Sequence, residues 1–269
     1  MSTGRVPAVL SIAGSDSGGG AGIQADLKAF ARCGVHGMTA ITAITAQNTV
    51  GVRAVEAVTP EMIVAQVRAV VEDIGVDAVK IGMLGDVATA EAVAEALGYV
   101  GSAPVVIDPV MVAESGAVLL DDSAREALIA RLLPMSALAT PNIPEARVLT
   151  GAGEGASQEE LARGVLELGP RAVVVTGGHS EGLVDLFFDG ERLVEIPGER
   201  HPDGAAHGSG CTHSAALAAH LALGAEPLEA ARQARVVASA AVGAGLRGIG
   251  AGPGPVDAIG LDPEGLLRP

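Results

Sequence analysis

The sequence predicts an α/β protein with a mostly parallel central sheet and helices on both faces of it. Short apolar segments rich in Val and Ile alternate with longer helical segments along most of the chain, which is typical of parallel strands buried on both sides. Hydrophobic residues make up 49% of the 269 residues and charged residues 18%, enough for a large core. We expect residues 1–269 to form a single domain.

The composition argues against several classes of protein. Trp is absent and aromatic residues amount to 1%, so few rings could stack on nucleic-acid bases. The net charge of −15 repels nucleic acids and anionic membranes, and we expect neither as a partner. The apolar stretches are broken by Gly, Pro or charged residues, and residues 1–6 contain no long apolar run, so we expect neither a membrane span nor a signal peptide. The two cysteines, Cys33 and Cys211, suit a reducing cytoplasm.

The first half of the chain alternates strands and helices. Strands are predicted at 8–12, 38–45, 52–58, 78–81 and 105–107, and helices at 23–33, at 60–74 and from about 87 to 97. Thr59 and Pro60 mark the second helix, with Thr as N-cap and Pro at the first helical position. The segment 52–58 alternates weakly and is compatible with a strand that leaves the main sheet. The Gly-rich loop at 14–22 ends in neither a Walker A motif nor a dinucleotide fingerprint.

The second half continues this alternation. Helices are predicted at 122–133, at 227–242 and, after the capping box that begins at Ser157, up to about 168. Strands are predicted at 138–140 and 172–175, and a hairpin at 183–196 turns at Asp189-Gly190. The Gly/Pro-rich tail after Gly248 is expected to be loosely ordered. Ser115-Gly116 would make 111–120 flexible enough to form a flap.

A Gly-rich segment before the Ala/Leu-rich run 214–223 is the best candidate for an anion site. The segment is His207-Gly208-Ser209-Gly210-Cys211-Thr212, and it reads as a loop that opens directly into a helix. N–H groups at a helix start can hold an anion, and the helix dipole there should lower the pKa of Cys211. A thiolate in this place could accept a proton during phosphoryl transfer. The alternative is a glycine turn with a buried Cys.

Polar side chains follow the predicted strands, where ligands bind to parallel sheets. The residues that share this position are Asp16, Gln47, Met83, Asp108, Asn142, Glu145 and Thr176. The amide of Gln47 offers a donor and an acceptor, which suits an aminopyrimidine edge. Structural alternatives stay open for three others: a turn role for Asp108, complementing a helix dipole for Glu145, and core packing for Met83.

With these motifs in order, the chain resembles the bacterial hydroxymethylpyrimidine/phosphomethylpyrimidine kinases of thiamine biosynthesis, within the ribokinase-like superfamily. The shared motifs lie between about Val9 and Leu246 and include 13–16, 19–28, 45–49, 80–84, 108–111, 140–142 and 207–212. The resemblance implies a ribokinase-like three-layer sandwich. It also implies ATP-dependent phosphorylation of 4-amino-5-hydroxymethyl-2-methylpyrimidine, and then of its monophosphate, in the cytoplasm.

The resemblance also assigns roles to residues. Cys211 takes the catalytic-base position, and Gly208, Ser209 and Gly210 complete an anion hole with it. The pyrimidine pocket is assigned to Ala21, Asp26, Gln47 and Met83, the nucleotide site to Asn142, Thr176 and Gly178, and Mg²⁺ to Asp108 and Glu145. For Asp26 a merely solvated position is the alternative. We expect a homodimer whose ligands are small molecules.

One departure from the family pattern bears on the nucleotide. Thr176 stands where many relatives carry Lys, which leaves charge neutralisation to Mg²⁺ and backbone donors. Two other functions stay open: a pyridoxine/pyridoxal kinase of the same family, and a non-catalytic ligand-binding regulatory protein on this fold.

Overall fold

The computed structural model describes residues 4–112, 116, 119–178, 183–202 and 204–261. In this part of the chain, nine strands form one sheet in the order β3-β2-β1-β4-β5-β6-β7-β8-β9. The strands are β1 (Ala8–Asp16), β2 (His36–Asn48), β3 (Gly51–Ala57), β4 (Ala78–Ile81), β5 (Val105–Ile107), β6 (Leu138–Ala139), β7 (Val173–Val175), β8 (Val184–Phe188) and β9 (Leu193–Pro197). The helices are α1 (Gly22–Arg32), α2 (Pro60–Asp73), α3 (Val87–Leu97), α4 (Asp122–Ala127), α5 (Ile143–Thr150), α6 (Gln158–Glu167), α7 (Ser209–Ala222) and α8 (Pro227–Gly243).

The sheet is parallel from β2 through β7, and the two ends are antiparallel. β3 pairs antiparallel with the last residues of β2, so the segment predicted at 52–58 stays in the sheet as its edge strand. At the other end, β8 pairs antiparallel with both β7 and β9, and the predicted hairpin of β8 and β9 is confirmed. The carboxyl ends of β1, β2, β4, β5, β6 and β7 therefore meet along one edge of the sheet.

Helices cover both faces, as predicted. On one face, Leu10, Val79 and Ile107 pack with apolar side chains of α2 to α6. On the other face, Val9, Val106 and side chains of α1, α7 and α8 form a second core. Strand residues alternate between these two cores because successive side chains point to opposite faces. The three-layer α/β architecture is thus confirmed.

The helix starts follow from local sequence. The side chains of five N-cap residues accept a hydrogen bond from the first turn: Thr59, Asp86, Asp121, Asn142 and Ser157. The helix expected at 122–133 is α-helical only to Ala127, and a π turn and a 3₁₀ turn follow. Pro134 explains this change, since it has no N–H group and cannot continue a regular helix.

Two parts of the chain extend or correct the expectation. The sequence indicates a helix start near Glu145 without bounds, and the structure has α5 there, with a capping box formed by Asn142 and Glu145. The tail was expected to be loose, but its described part is packed: Val256 and Asp257 are buried, and the Val256 N–H donates to the carbonyl of His207 at 3.0 Å. The possible flap at 111–120 includes 113–115 and 117–118, which lie outside the described residues.

Helices that combine the length and the apolar character needed to cross a membrane are absent from the described ranges.

Candidate active site

A cavity of about 560 Å³ opens at the carboxyl ends of the parallel strands. Twelve of the predicted site residues line it, namely Ala21, Gln47, Met83, Asp108, Asn142, Glu145, Thr176, Gly178, Gly208, Ser209, Gly210 and Cys211. The sheet order places Gln47 at β2, Met83 after β4, Asp108 after β5 and Thr176 after β7. With about 4.8 Å between neighbouring strands, these positions span roughly 24 Å. One long cleft therefore collects residues that are far apart in the sequence.

The start of α7 lies against the Gly-rich loop that precedes α1. Gly208 is the N-cap, with φ of 82°, a conformation that favours glycine. A Cβ atom at Gly208 would collide with the carbonyl oxygen of Gly20, so only glycine allows this approach. The first turn of α7 offers N–H groups with no intrahelical partner, as an anion site requires.

Asp16 fixes the loop against which α7 is packed. Its carboxylate accepts hydrogen bonds from the N–H groups of Gly18, Gly20 and Ala21 at 2.8, 3.0 and 2.9 Å, and Nε2 of His207 lies 3.6 Å away. Burial opposes ionisation, but the bonds from His207 and the loop outweigh it and lower the pKa of Asp16. Asp16 thus connects Ala21 with the start of the anion segment.

The environment of Cys211 contradicts the expected lowering of its pKa. Burial raises the pKa of this thiol to about 12, and the negative charges of Asp26 and Asp108 act in the same direction. The ammonium group of Lys80 and the N–H of Gly22 oppose the rise. The prediction considered only the helix dipole and was wrong because packing removes water from the thiol.

Behind Cys211 lies a buried ion pair that the sequence analysis did not assign. Nζ of Lys80 lies 2.9 and 3.0 Å from the two carboxylate oxygens of Asp26, and both side chains are fully buried. Ser11 Oγ donates to the same carboxylate at 2.6 Å. The carboxylates of Asp26 and Asp108 outweigh burial and raise the pKa of Lys80, so it stays charged.

This pair changes the expectation for Asp26. The side chain points between α1 and the sheet and does not line the cavity, whereas Lys80 does. Any effect of Asp26 on a ligand is therefore exerted through Lys80. A signal was present in the sequence, because Lys80 stands in the apolar strand 78–81 and a buried lysine needs an acidic partner.

Asp108 and Glu145 form a pair of buried carboxylates in the cavity wall. Asp108 is 5% exposed and accepts a hydrogen bond from Ser214 Oγ at 2.9 Å. Glu145 accepts a hydrogen bond from the N–H of Asn142 at 2.9 Å and so helps to cap the start of α5. Burial and the neighbouring charge of Asp108 raise the pKa of Glu145 to about 8. A divalent cation would relieve this repulsion.

These two residues fit Mg²⁺ as hard oxygen ligands. The described residues hold no group of three or more His, Cys, Asp or Glu side chains arranged for a metal ion. Phosphate oxygens and water would therefore complete the coordination of an ion held by Asp108 and Glu145.

The β2 end of the cleft contains the residues assigned to a pyrimidine. Gln47 is half-buried, and its Oε1 lies 3.2 Å from Oγ1 of Thr45. The methyl end of Met83 lies over Gly14, where a Cβ atom would collide with it. Ala21 is the N-cap of α1. A small flat ring could lie between the thioether and the amide.

The β7 end of the cleft is formed by Asn142, Thr176 and Gly178, and by an unpredicted cluster behind them. Thr176 bridges to Asn142, and the N–H of Gly177 donates to Oδ1 of Asp185 at 2.9 Å. Arg235 of α8 and His213 of α7 lie beside Asp185. The sequence analysis gave no role to these three residues, which come from separate elements.

The fold and the cleft define a ribokinase-like small-molecule kinase. The family model for phosphomethylpyrimidine kinase matches residues 16–257. A hydroxymethylpyrimidine/phosphomethylpyrimidine kinase of Rhizobium meliloti is 51% identical over 253 residues, which cover 92% of this chain and 95% of the relative. The chain belongs to the phosphomethylpyrimidine kinase family.

Two further similarities bear on pathway and ligands. The thiamine biosynthesis bifunctional protein ThiED of Geobacter sulfurreducens is 45% identical over 255 residues, 93% of this chain and 52% of that protein. The pyridoxal kinase from Staphylococcus aureus in complex with AMP-PCP and pyridoxal superposes with a TM-score of 0.86 at 33% identity, covering 95% of this chain and 94% of that one. A kinase related to this chain thus binds an ATP analogue.

Proposed function

We propose that this protein transfers the γ-phosphoryl group of ATP to the hydroxymethyl group of 4-amino-5-hydroxymethyl-2-methylpyrimidine, and then phosphorylates the monophosphate. The observation that carries this proposal is the position of Cys211. It stands at the start of α7 beside Asp108, at the middle of the sheet, with Gln47 and Met83 towards one end of the cleft and Thr176 towards the other. An acceptor and a nucleotide could therefore meet at the anion segment.

In the proposed reaction the protein positions groups and stabilises charge. The free N–H groups of the anion segment bind the phosphoryl group in transfer, whereas the N–H of Ser209 donates to the carbonyl of Ala206 at 2.9 Å. Such charge stabilisation, together with positioning, supplies most of the catalysis of phosphoryl transfer. Cys211 accepts the hydroxyl proton as a thiolate, whose own proton has first been released to solvent through the open cleft. Burial and the carboxylates of Asp26 and Asp108 oppose this ionisation, and Lys80 and the N–H of Gly22 favour it. Mg²⁺, when bound at Asp108 and Glu145, would neutralise charge on the nucleotide phosphates.

The test compares three acceptors under one set of conditions. ATP consumption is measured with hydroxymethylpyrimidine, with its monophosphate and with pyridoxine, and products are identified by mass spectrometry. Turnover of both pyrimidines at higher kcat/KM than pyridoxine is the expected result. Higher kcat/KM for pyridoxine would support the second candidate, a pyridoxal-type kinase, which the superposition on the Staphylococcus aureus enzyme favours. Absence of turnover on all three would refute kinase activity on these rings.

The homodimer, the cytoplasmic location and the use of Mg²⁺ stay predictions. Exposed apolar side chains on and beside β2 and β3, among them Ile44, Val50 and Val55, are 52–57% exposed and offer a surface for a second copy. Sedimentation velocity would measure the mass in solution, and a Mg²⁺ titration of activity would test the metal.

A further inference from the structure

The end of β2 that carries Gln47 extends beyond the neighbouring strand β1. The last residue of β1 that pairs with β2 is Asp16, which lies opposite Thr45. Gln47 comes two residues later, and the register of the pairing with β3 shifts just before it, between Ala46 and Gln47. The ladder between β1 and β2 therefore stops before the residue that is assigned to the pyrimidine edge.

The hydroxyl group of Ser17 takes the place of the missing strand partner. The N–H of Gln47 donates to Oγ of Ser17 at 2.9 Å, and this Oγ donates its own proton to the carbonyl of Gln47 at 2.7 Å. One side chain thus satisfies both backbone groups of Gln47, as a neighbouring strand would do. Gly18 packs against the same place, since a Cβ atom on it would lie 3.2 Å from Cα of Asn48 and 3.3 Å from the carbonyl oxygen of Gln47.

The side chain of Gln47 is held only in part by its own hydrogen bond. Its Oε1 lies 3.2 Å from Oγ1 of Thr45, and the same Oγ1 donates to the carbonyl of Ser15 at 2.9 Å. A hydroxyl group has one proton to donate, so Thr45 divides it between two acceptors. The direction of the Gln47 amide therefore depends on where its backbone is held, and Ser17 holds that backbone.

Ser17 is placed to act on Gln47 without disturbing the anion segment. The Gly-rich loop is fixed by the carboxylate of Asp16, which accepts from the N–H groups of Gly18, Gly20 and Ala21. These bonds do not use the Ser17 hydroxyl. Ser17 itself is exposed and lies outside the cavity wall formed by the described residues. Any effect of its hydroxyl on a ligand is thus exerted through Gln47.

We propose that Ser17 is a positioning residue that directs the Gln47 amide towards the ring of the phosphoryl acceptor. The inference rests on the proposed kinase function and deepens it. An aminopyrimidine edge combines a ring nitrogen with an amine, so it needs both the donor and the acceptor of a correctly oriented amide. A small displacement of Gln47 would misalign both groups at once.

The first experiment measures steady-state kinetics of Ser17→Ala with hydroxymethylpyrimidine and ATP. Loss of the two hydrogen bonds frees the end of β2, so kcat/KM for the pyrimidine should fall about 3- to 10-fold while KM for ATP stays constant. Ser17→Thr keeps the hydroxyl group and should restore most of the loss, because an exposed position tolerates an added methyl group. The matched control is Ser123→Ala, which removes an exposed hydroxyl that donates to Asp121 at 2.6 Å, and it should leave both constants unchanged.

The second experiment is a double-mutant cycle of Ser17→Ala with Gln47→Leu. In the Gln47→Leu background no amide remains to be oriented, so Ser17→Ala should change kcat/KM for the pyrimidine much less than it does in the wild type. The melting temperature of each variant is measured alongside. That of Ser17→Ala should stay close to the wild-type value, because substitutions at exposed positions cost little stability.

The outcomes separate this inference from the proposed function. An unchanged kcat/KM in Ser17→Ala would overturn the inference, as would a Ser17→Thr variant no better than Ser17→Ala. The same fold loss in both backgrounds of the cycle, or a raised KM for ATP, would place the effect in the loop and also overturn it. Pyrimidine turnover by the wild type would stand in all these cases. Failure of the wild type to phosphorylate any acceptor would instead overturn the proposed function itself.

Discussion

Replacing Lys80 with Met should destabilise the protein strongly, because the change leaves Asp26 without its cation. Both side chains are fully buried and lie 2.9 Å apart, and removing one member of such a pair costs about 3–5 kcal/mol. At roughly 2–4 °C per kcal/mol for a domain of this size, the melting temperature should fall by about 6–20 °C. Urea unfolding followed by circular dichroism would give the free energy of unfolding.

Two further variants make this test specific. Arg125→Met breaks an exposed pair with Asp122, whose side chain is 88% exposed, and should cost less than about 1 kcal/mol. The double variant Lys80→Met/Asp26→Asn removes the unpaired charge and should recover more than half of the lost stability. Equal losses for Lys80→Met and Arg125→Met would refute the reasoning, as would a double variant no more stable than Lys80→Met alone. The stable double variant should still turn over slowly, because Cys211 has lost its nearby cation.

Four other changes test the cleft. Cys211→Ala should reduce kcat by about 10²-fold or more with ATP binding by calorimetry nearly unchanged; near-normal turnover would remove the thiol as base. Gln47→Leu would leave a polar edge of the pyrimidine unpaired, at a cost of about 1–3 kcal/mol, so kcat/KM for the pyrimidine should fall roughly 5- to 150-fold while KM for ATP stays constant. An equal fall with pyridoxine would mean that Gln47 only shapes the pocket. Glu145→Gln should raise the Mg²⁺ concentration at half-maximal rate; an unchanged titration would leave only its helix-capping role. Because the pKa of Asp16 is lowered in the fold, its carboxylate stabilises the protein above about pH 4, and this stabilisation is lost in more acidic solution. The urea midpoint of the wild type should therefore fall between pH 5 and pH 3, and that of Asp16→Asn should fall less. An equal fall in both proteins would contradict this.

Sequence patterns predicted the parts of the fold that depend on neighbouring residues. The strands at 78–81 and 105–107 have the observed bounds because apolar runs between turn residues define them locally. The residues at the strand ends were brought into one cleft because parallel strands place their carboxyl ends together.

Features that depend on distant packing could not be predicted in this way. The pKa of Cys211 rises because of burial and of the carboxylates of Asp26 and Asp108, which come from distant parts of the chain. The pairing of Lys80 with Asp26 needs β4 and α1 to be adjacent. The cluster at Asp185 joins three elements whose order in space follows only from the completed sheet. The packing of the C-terminal segment against His207, through the hydrogen bond from the Val256 N–H, likewise depends on a contact between residues distant in the sequence.

The order of the strands has a consequence for synthesis on the ribosome. From β5 to β9 every strand pairs with the one made just before it, so this part of the sheet can grow as the chain emerges. The start of α7, however, must return to the loop at Asp16, which was made near the beginning. That closure joins distant parts of the chain and costs additional entropy. A nascent chain stalled before residue 209 would therefore hold most of its sheet but not α7, and the complete cleft would appear only with about the last fifth of translation.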